Sequence, residues 1–225
     1  MRFSELDGKR VGVWGLGRET RSLARQLTER LPGARLTVVV REDSTETVAE
    51  PHWDGAAAVG PEHAVAALSG CDVLVRSPGV SIHKPDLQEL AVRGVATTTA
   101  TALWIAERGG RNVIAVTGTK GKSTTAALLA HLLSSERVAH LAGNIGAPAL
   151  DLLDVPADEW VVLELSSYQI ADLSQGPEVA AITNLYREHV DWHQTEDAYR
   201  REKLRLFSLP GVAACAYPPK FADIE

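Results

Sequence analysis

The feature that most constrains this chain is Thr117-Gly118-Thr119-Lys120-Gly121-Lys122-Ser123-Thr124, set between an apolar run and a helical one. Asn112 to Val116 reads as a buried strand, and Lys122 to Ser134 has the spacing of a helix. A glycine loop between the two turns successive backbone N–H groups and the helix N-terminus toward one point, which suits an anion. It also presupposes a parallel sheet, because strand, loop and helix together form half of a crossover unit. The loop departs from the general G-x-x-x-x-G-K-[ST] spacing. The first glycine would fall at 116, where the chain has valine, and it falls instead at 118. Lys122 offers phosphates a point charge, and Ser123 or Thr124 offers Mg²⁺ a hydroxyl.

The same alternation occupies the N-terminal half. Arg10 to Trp14 is an apolar run, Gly15-Leu16-Gly17 a turn, and Thr20 to Arg30 a helix with Leu23 and Leu27 on one face. Strands are expected at Leu36 to Val40 and Cys71 to Val75, the latter closed by Ser77-Pro78-Gly79. Asp86 to Arg93 reads as a short helix. The Thr-rich stretch Thr97 to Thr101 is taken as a boundary. Beyond it come apolar strands at Trp160 to Leu165 and Val179 to Asn184, a helix over Asp197 to Phe207, and one further strand over Val212 to Tyr217. The expectation is α/β: a Rossmann-like domain over residues 1–100, then a P-loop ATPase-type α/β domain over 101–225.

Bulk properties narrow the partners. A net charge of -6 without a basic stripe gives no support for nucleic-acid binding. No apolar run reaches the length of a membrane span, and Met1 to Lys9 is not a secretory signal, so no membrane insertion and a cytoplasmic location are expected. Cys71 and Cys215 match no metal-ligand spacing and read as two buried, reduced thiols.

The loop at 117–124 resembles the shortened phosphate loop of the Mur ligases and of their relative folylpolyglutamate synthase. Further motifs follow in the order found in glutamate-adding Mur ligases. They are Gly143-Asn144-Ile145-Gly146, Glu164-Leu165-Ser166-Ser167-Tyr168-Gln169, Thr183-Asn184, Glu188-His189-Val190-Asp191-Trp192-His193, and Tyr199 to Phe207. The resemblance implies an ATP-dependent ligase that joins glutamate to UDP-N-acetylmuramoyl-L-alanine in peptidoglycan precursor synthesis. It implies ATP bound by Thr117 to Thr124, and Mg²⁺ or Mn²⁺ held by Ser123, Glu164, His189 and Lys203, with Lys122, Glu164, His189 and Lys203 catalytic. It places Gly15, Leu16, Gly17 and Arg18 near the substrate diphosphate, Ser77, Pro78 and Gly79 along its pocket, and Asn144 and Ser166 on its sugar or uracil portion.

The residues have their own readings beside it. Glu164 ends an apolar strand, where a carboxylate can face a nucleotide's metal, or else serve as a cap or surface acid. A lone histidine such as His189 is more often structural. By composition Lys203 is a surface lysine; only the resemblance makes it a lysine carbamylated by CO₂ into an anionic metal ligand. Gly15-Leu16-Gly17-Arg18-Glu19-Thr20 is a dinucleotide fingerprint whose last glycine is replaced. It lacks a convincing acid after the second strand, where Arg41 precedes Glu42.

Three departures matter. Glu188 stands where the common family motif has Asp. Trp14, Arg18-Glu19, Tyr168 and Asp191-Trp192-His193 lean toward a subgroup that adds L-glutamate and leaves epimerisation to a partner enzyme. The family also continues beyond the point matching Glu225, with the rest of the ATPase domain and a third, glutamate-binding domain. This leaves as alternatives a non-catalytic UDP-sugar or nucleotide-binding relative, a nicotinamide oxidoreductase built on Gly15-x-Gly17, and a folate-type ligase sharing the loop.

Overall fold

The structure, a computed structural model, describes the chain except residues 43–51, 54, 187–189, 194 and 222–225. It divides into two compact units, Met1–Leu103 and Trp104–Glu225.

The first unit runs β1 (Arg10–Trp14), α1 (Arg18–Arg30), β2 (Arg35–Val40), β3 (Ala57–Val59), α2 (Ala64–Leu68), β4 (Val73–Arg76), α3 (Pro85–Val92) and β5 (Ala96–Thr98). Its five strands are parallel, in the order β3-β2-β1-β4-β5. β1 and β4 are almost wholly buried, as central strands covered on both faces must be. Trp14, Val38, Val40, Leu68, Leu74, Leu87 and Leu90 share one core cluster. The next helix, α4 (Ala100–Arg108), contains the point where the units divide.

The second unit runs β6 (Val113–Thr117), α5 (Lys122–Leu133), β7 (Ala139–Gly143), β8 (Trp160–Glu164), α6 (Ser167–Ile170), β9 (Val179–Ile182), α7 (Val190–His193), α8 (Glu196–Arg205) and β10 (Ala214–Ala216). All pairings are again parallel, in the order β10-β9-β6-β8-β7. β6 is central and buried at every position. α5 returns over the sheet, packing Ala126 and Ala130 against Val116 and Val162.

The α/β architecture with two parallel sheets is the one expected. Three strands were not foreseen. β3 is three residues at an edge, and β7, Ala-His-Leu-Ala-Gly, lacks the β-branched residues that mark strands. The Thr97–Thr101 stretch joins two elements: Thr97 and Thr98 close β5, where their branched Cβ atoms suit a pleated edge, Thr99 links them, and Thr101 lies in α4. Cys71 is buried, and burial raises its thiol pKa; Cys215 is exposed on β10, against expectation, because that strand ends the sheet. Among the described residues no helix is long and apolar enough to cross a membrane.

Arg10 and Asp72 tie the entrance of β1 to that of β4. Asp72 Oδ2 accepts the Arg10 backbone N–H at 2.8 Å, and its Oδ1 accepts Nη2 at 2.9 Å. These bonds hold the Asp72 carboxyl down to about 2. A carboxyl depressed in the folded state contributes stability that is present above its unfolded pKa of ~3.9 and is lost as pH falls toward the folded value. Between pH 4 and pH 2 the urea midpoint of the wild type should therefore fall further than that of Asp72→Asn. Equal falls would show that the pair does not contribute.

Candidate functional site

The glycine loop at 117–124 follows the central strand of the second sheet, where the strand order reverses and open parallel sheets place their ligands. Gly118 takes φ +139°, and a Cβ there would collide with the Thr183 hydroxyl. Gly121, at φ +79°, caps α5. The residues after β9 hold the loop from the other side. Asn184 accepts the Thr119 N–H through its backbone carbonyl (2.9 Å) and the Lys120 N–H through Oδ1 (2.8 Å), while its Nδ2 donates to the Lys120 carbonyl (2.8 Å). Thr183 Oγ1 donates to that same carbonyl at 2.7 Å. With Thr119 and Lys120 so engaged, the amides of Gly121, Lys122 and Ser123 form the open end of the cradle. Lys122 Nζ donates to the Thr119 carbonyl at 3.0 Å, which folds its charge back over the loop. Ser123 and Thr124 are exposed at the first turn of α5.

β8 brings Glu164 alongside, paired in register with Val116. Glu164 is 1% exposed. Its Oε1 accepts Asn144 Nδ2 at 3.1 Å, while its Oε2 is buried without a hydrogen-bond partner among the described residues. Such an oxygen is costly to bury unless something charged or hydrogen-bonding meets it. Asn144 thus stands against Glu164, its backbone N–H donating to the Glu164 carbonyl at 3.0 Å. Ser166 caps α6, exchanging hydrogen bonds with Gln169.

Lys203, which composition alone makes a surface residue, is 2% exposed. α8 directs it inward: Nζ makes a long contact of 3.5 Å to Thr117 Oγ1 and lies 5.0 Å from the centroid of the Tyr199 ring. Thr117 Oγ1 in turn donates to the Leu165 carbonyl at 2.9 Å, so Lys203 reaches the strand ends that carry the loop and Glu164. Glu188 and His189 lie outside the described residues. Among the described residues no cluster of three or more His, Cys, Asp or Glu side chains could hold a metal ion.

In the first unit, Gly15-Leu16-Gly17 follows β1, again beside the reversal of strand order. Gly15, at φ +84°, donates to the Val40 carbonyl at 2.8 Å, and a Cβ on it would come within 2.9 Å of Ser77 Cβ. Thr20, in place of the third glycine, is buried and accepts the Gly17 N–H at 2.8 Å while reaching the Gly15 carbonyl at 3.0 Å. Arg18 is exposed. The Ser77-Pro78-Gly79 turn is organised by a residue sequence reasoning passed over. Arg76 is fully buried, and its Nη1 donates to the carbonyls of Val80 (2.7 Å) and Pro78 (3.1 Å). Glu42 is engaged locally, accepting Trp14 Nε1 at 2.6 Å and pairing with Lys84 at 3.3 Å.

Residues 116–216, from the end of β6 through β10, match the Mur ligase middle domain. The chain carries that match over a little under half of its length. It is 44% identical over 214 residues to the UDP-N-acetylmuramoyl-L-alanine–L-glutamate ligase of a Micromonospora species, a match covering 92% of this chain and 46% of the relative. It is 42% identical over 239 residues to the ligase of the same name from Xanthomonas campestris, covering 100% of this chain and 51% of the relative. The chain therefore spans about half the length of the curated relatives it matches. Among solved structures, the UDP-N-acetylmuramate:L-alanyl-γ-D-glutamyl-meso-diaminopimelate ligase from Neisseria meningitides aligns with a TM-score of 0.56 at 18% identity. That match covers 96% of this chain and 73% of that one, and it is a likeness of fold.

Arg76 gives a direct check on the first unit. Arg76→Met keeps bulk but leaves buried carbonyls of the 77–80 turn without their donor. It should cost about 2–3 kcal/mol in chemical unfolding. An unchanged midpoint would mean that the turn holds itself.

Proposed function

We propose that this chain supplies the nucleotide-sugar and ATP sites of an ATP-dependent Mur ligase joining glutamate to UDP-N-acetylmuramoyl-L-alanine in peptidoglycan precursor synthesis. The observation that carries the reading is the phosphate loop between β6 and α5, with buried Glu164 and Lys203 brought to the same strand ends. In this reading Gly121, Lys122, Ser123 and Thr124 present their backbone N–H groups to the ATP phosphates, and Thr117 to Lys120 shape the loop. Lys122 turns from the Thr119 carbonyl toward the γ-phosphate and neutralises charge as the phosphoryl group moves to the substrate carboxylate. The glutamate amine then displaces phosphate from the acyl carbon.

Glu164 fits a divalent cation, since its Oε2 is buried and lacks a partner among the described residues. Glu164 and Ser123 would hold Mg²⁺ or Mn²⁺, with His189 in the same role from the family resemblance. The ion would supply positive charge to offset that of the phosphates. The burial of Lys203 supports a place for it at this site. Carbamylation, in which its free amine adds to CO₂ with loss of a proton, would make it an anionic partner for the same ion. The first unit would take the UDP-sugar at Gly15 to Arg18 and Ser77 to Gly79. For Asn144 and Ser166 a sugar contact needs their present bonds to Glu164 and Gln169 to be shared with the ligand. The L-glutamate isomer is favoured by the names of the relatives, and a separate epimerase would then act downstream. A cytoplasmic location follows from the nature of these substrates.

The test is product mass and ADP release with MgATP, UDP-N-acetylmuramoyl-L-alanine and either L- or D-glutamate. A product heavier by one glutamyl unit with L-glutamate is expected. Reaction with D-glutamate alone would overturn the stereochemical reading, and neither ADP release nor MgATP binding would overturn the ligase. Lys122→Ala should lower turnover by roughly a hundred- to a thousandfold, the usual loss when one electrostatic contact to the transition state is removed. Turnover near that of the wild type would remove Lys122 from its role.

A further inference from the structure

One buried side chain at the loop has no part in the scheme above. Tyr199 is fully buried on α8, one turn before Lys203 and on the same face of the helix. Its hydroxyl lies 2.8 Å from Thr119 Oγ1. Thr119 is the residue on whose carbonyl Lys122 Nζ rests. The direction of the hydroxyl–hydroxyl bond follows from counting what Thr119 Oγ1 can do. It accepts the Tyr186 N–H at 2.9 Å and faces the Tyr186 carbonyl at 3.2 Å. A backbone N–H can only donate and a carbonyl can only accept, so the single Thr119 proton goes to the Tyr186 carbonyl. The phenol must then donate into the second lone pair of Thr119 Oγ1, which fills the capacity of that oxygen.

The ring is fixed as firmly as its hydroxyl. The buried His193 imidazole packs edge-on against Tyr199 with centroids 5.4 Å apart, and one of its nitrogens lies 2.8 Å from Ser167 Oγ at the start of α6. The phenol therefore has little freedom to leave Thr119. From these contacts we infer that Tyr199 is a positioning residue for the phosphate loop. By donating to Thr119 it holds in place the carbonyl from which Lys122 departs when phosphates arrive, and it fixes the height of the loop above α8. This inference rests on the reading of the loop as an ATP site.

The experiment compares MgATP affinity by calorimetry in the wild-type chain, Tyr199→Phe, Thr119→Val and the double variant, with unfolding midpoints measured on each. Tyr199→Phe keeps the ring and removes only the donor. If Tyr199 positions the loop, folded Tyr199→Phe binds MgATP about tenfold more weakly, the loss expected from one buried hydrogen bond. Thr119→Val then loses at least as much, and the double variant is no worse than Thr119→Val alone. A merely structural tyrosine would lower the midpoint and leave the affinity of the folded protein within twofold of wild type, which would overturn the inference. So would losses that multiply in the double variant. Should Tyr199→Phe fail to fold, Thr119→Val decides alone, with a tenfold loss in support and a change within twofold against. A wild-type chain that binds no MgATP would instead overturn the ATP-site reading itself, and Tyr199's role with it.

Discussion

Gly118 can occupy its position only because it has no Cβ. At φ +139° its backbone presses on Thr183 and Asn184, the first residues beyond β9, and the arrangement of the site depends on that approach. It lets Asn184 bond both backbone polar groups of Lys120 and the amide of Thr119, which ties the loop to the strand beside β6. Parallel pairing puts the same ends of β8 and β9 on either side of β6. Glu164, Thr117 and Asn184 are therefore neighbours through sheet register, although up to 67 residues separate them in sequence. α8 closes the group by directing Tyr199 and Lys203 inward from successive turns.

The two units solve a similar problem with different materials. In each, a glycine turn leaves a central strand where the strand order reverses, and in each a neighbouring strand end braces the turn. In the first unit the brace is internal. Thr20 fills the place of the missing third glycine and satisfies the Gly17 amide, while Arg76 holds the facing turn from below. In the second unit the brace is a side-chain amide together with a hydroxyl pair, which leaves the next amides and the Lys122 ammonium for an anion. That difference accords with a diphosphate held in one unit and a phosphoryl group transferred in the other, as proposed.

Much of the fold was legible because parallel strands buried on both faces read as unbroken apolar runs. Val113 to Val116, Trp160 to Leu163 and Val73 to Val75 announce themselves in this way. β7 and β3 did not, since edge strands need not be apolar and half of their residues are alanine. At the site, the loop could be read from local spacing. The burial of Lys203 could not, because α8 is rich in charge and its inward face rests on one tyrosine and one lysine. Arg76 was hidden for a related reason. An arginine ending an apolar strand reads as an exit to solvent, and only the turn that follows shows that its donors are used inside. In these three places the deciding partner is distant in sequence or is a backbone carbonyl, which no residue pattern records.

The central claim is that the loop after β6 is where nucleotide phosphates bind. Amide hydrogen exchange of the chain with and without MgADP tests it most directly. The account predicts added protection at Gly121 to Thr124 and their neighbours in the first turn of α5, with Gly15 to Arg18 unchanged. Protection at Gly15 to Arg18 and none at Gly121 to Thr124 would contradict it.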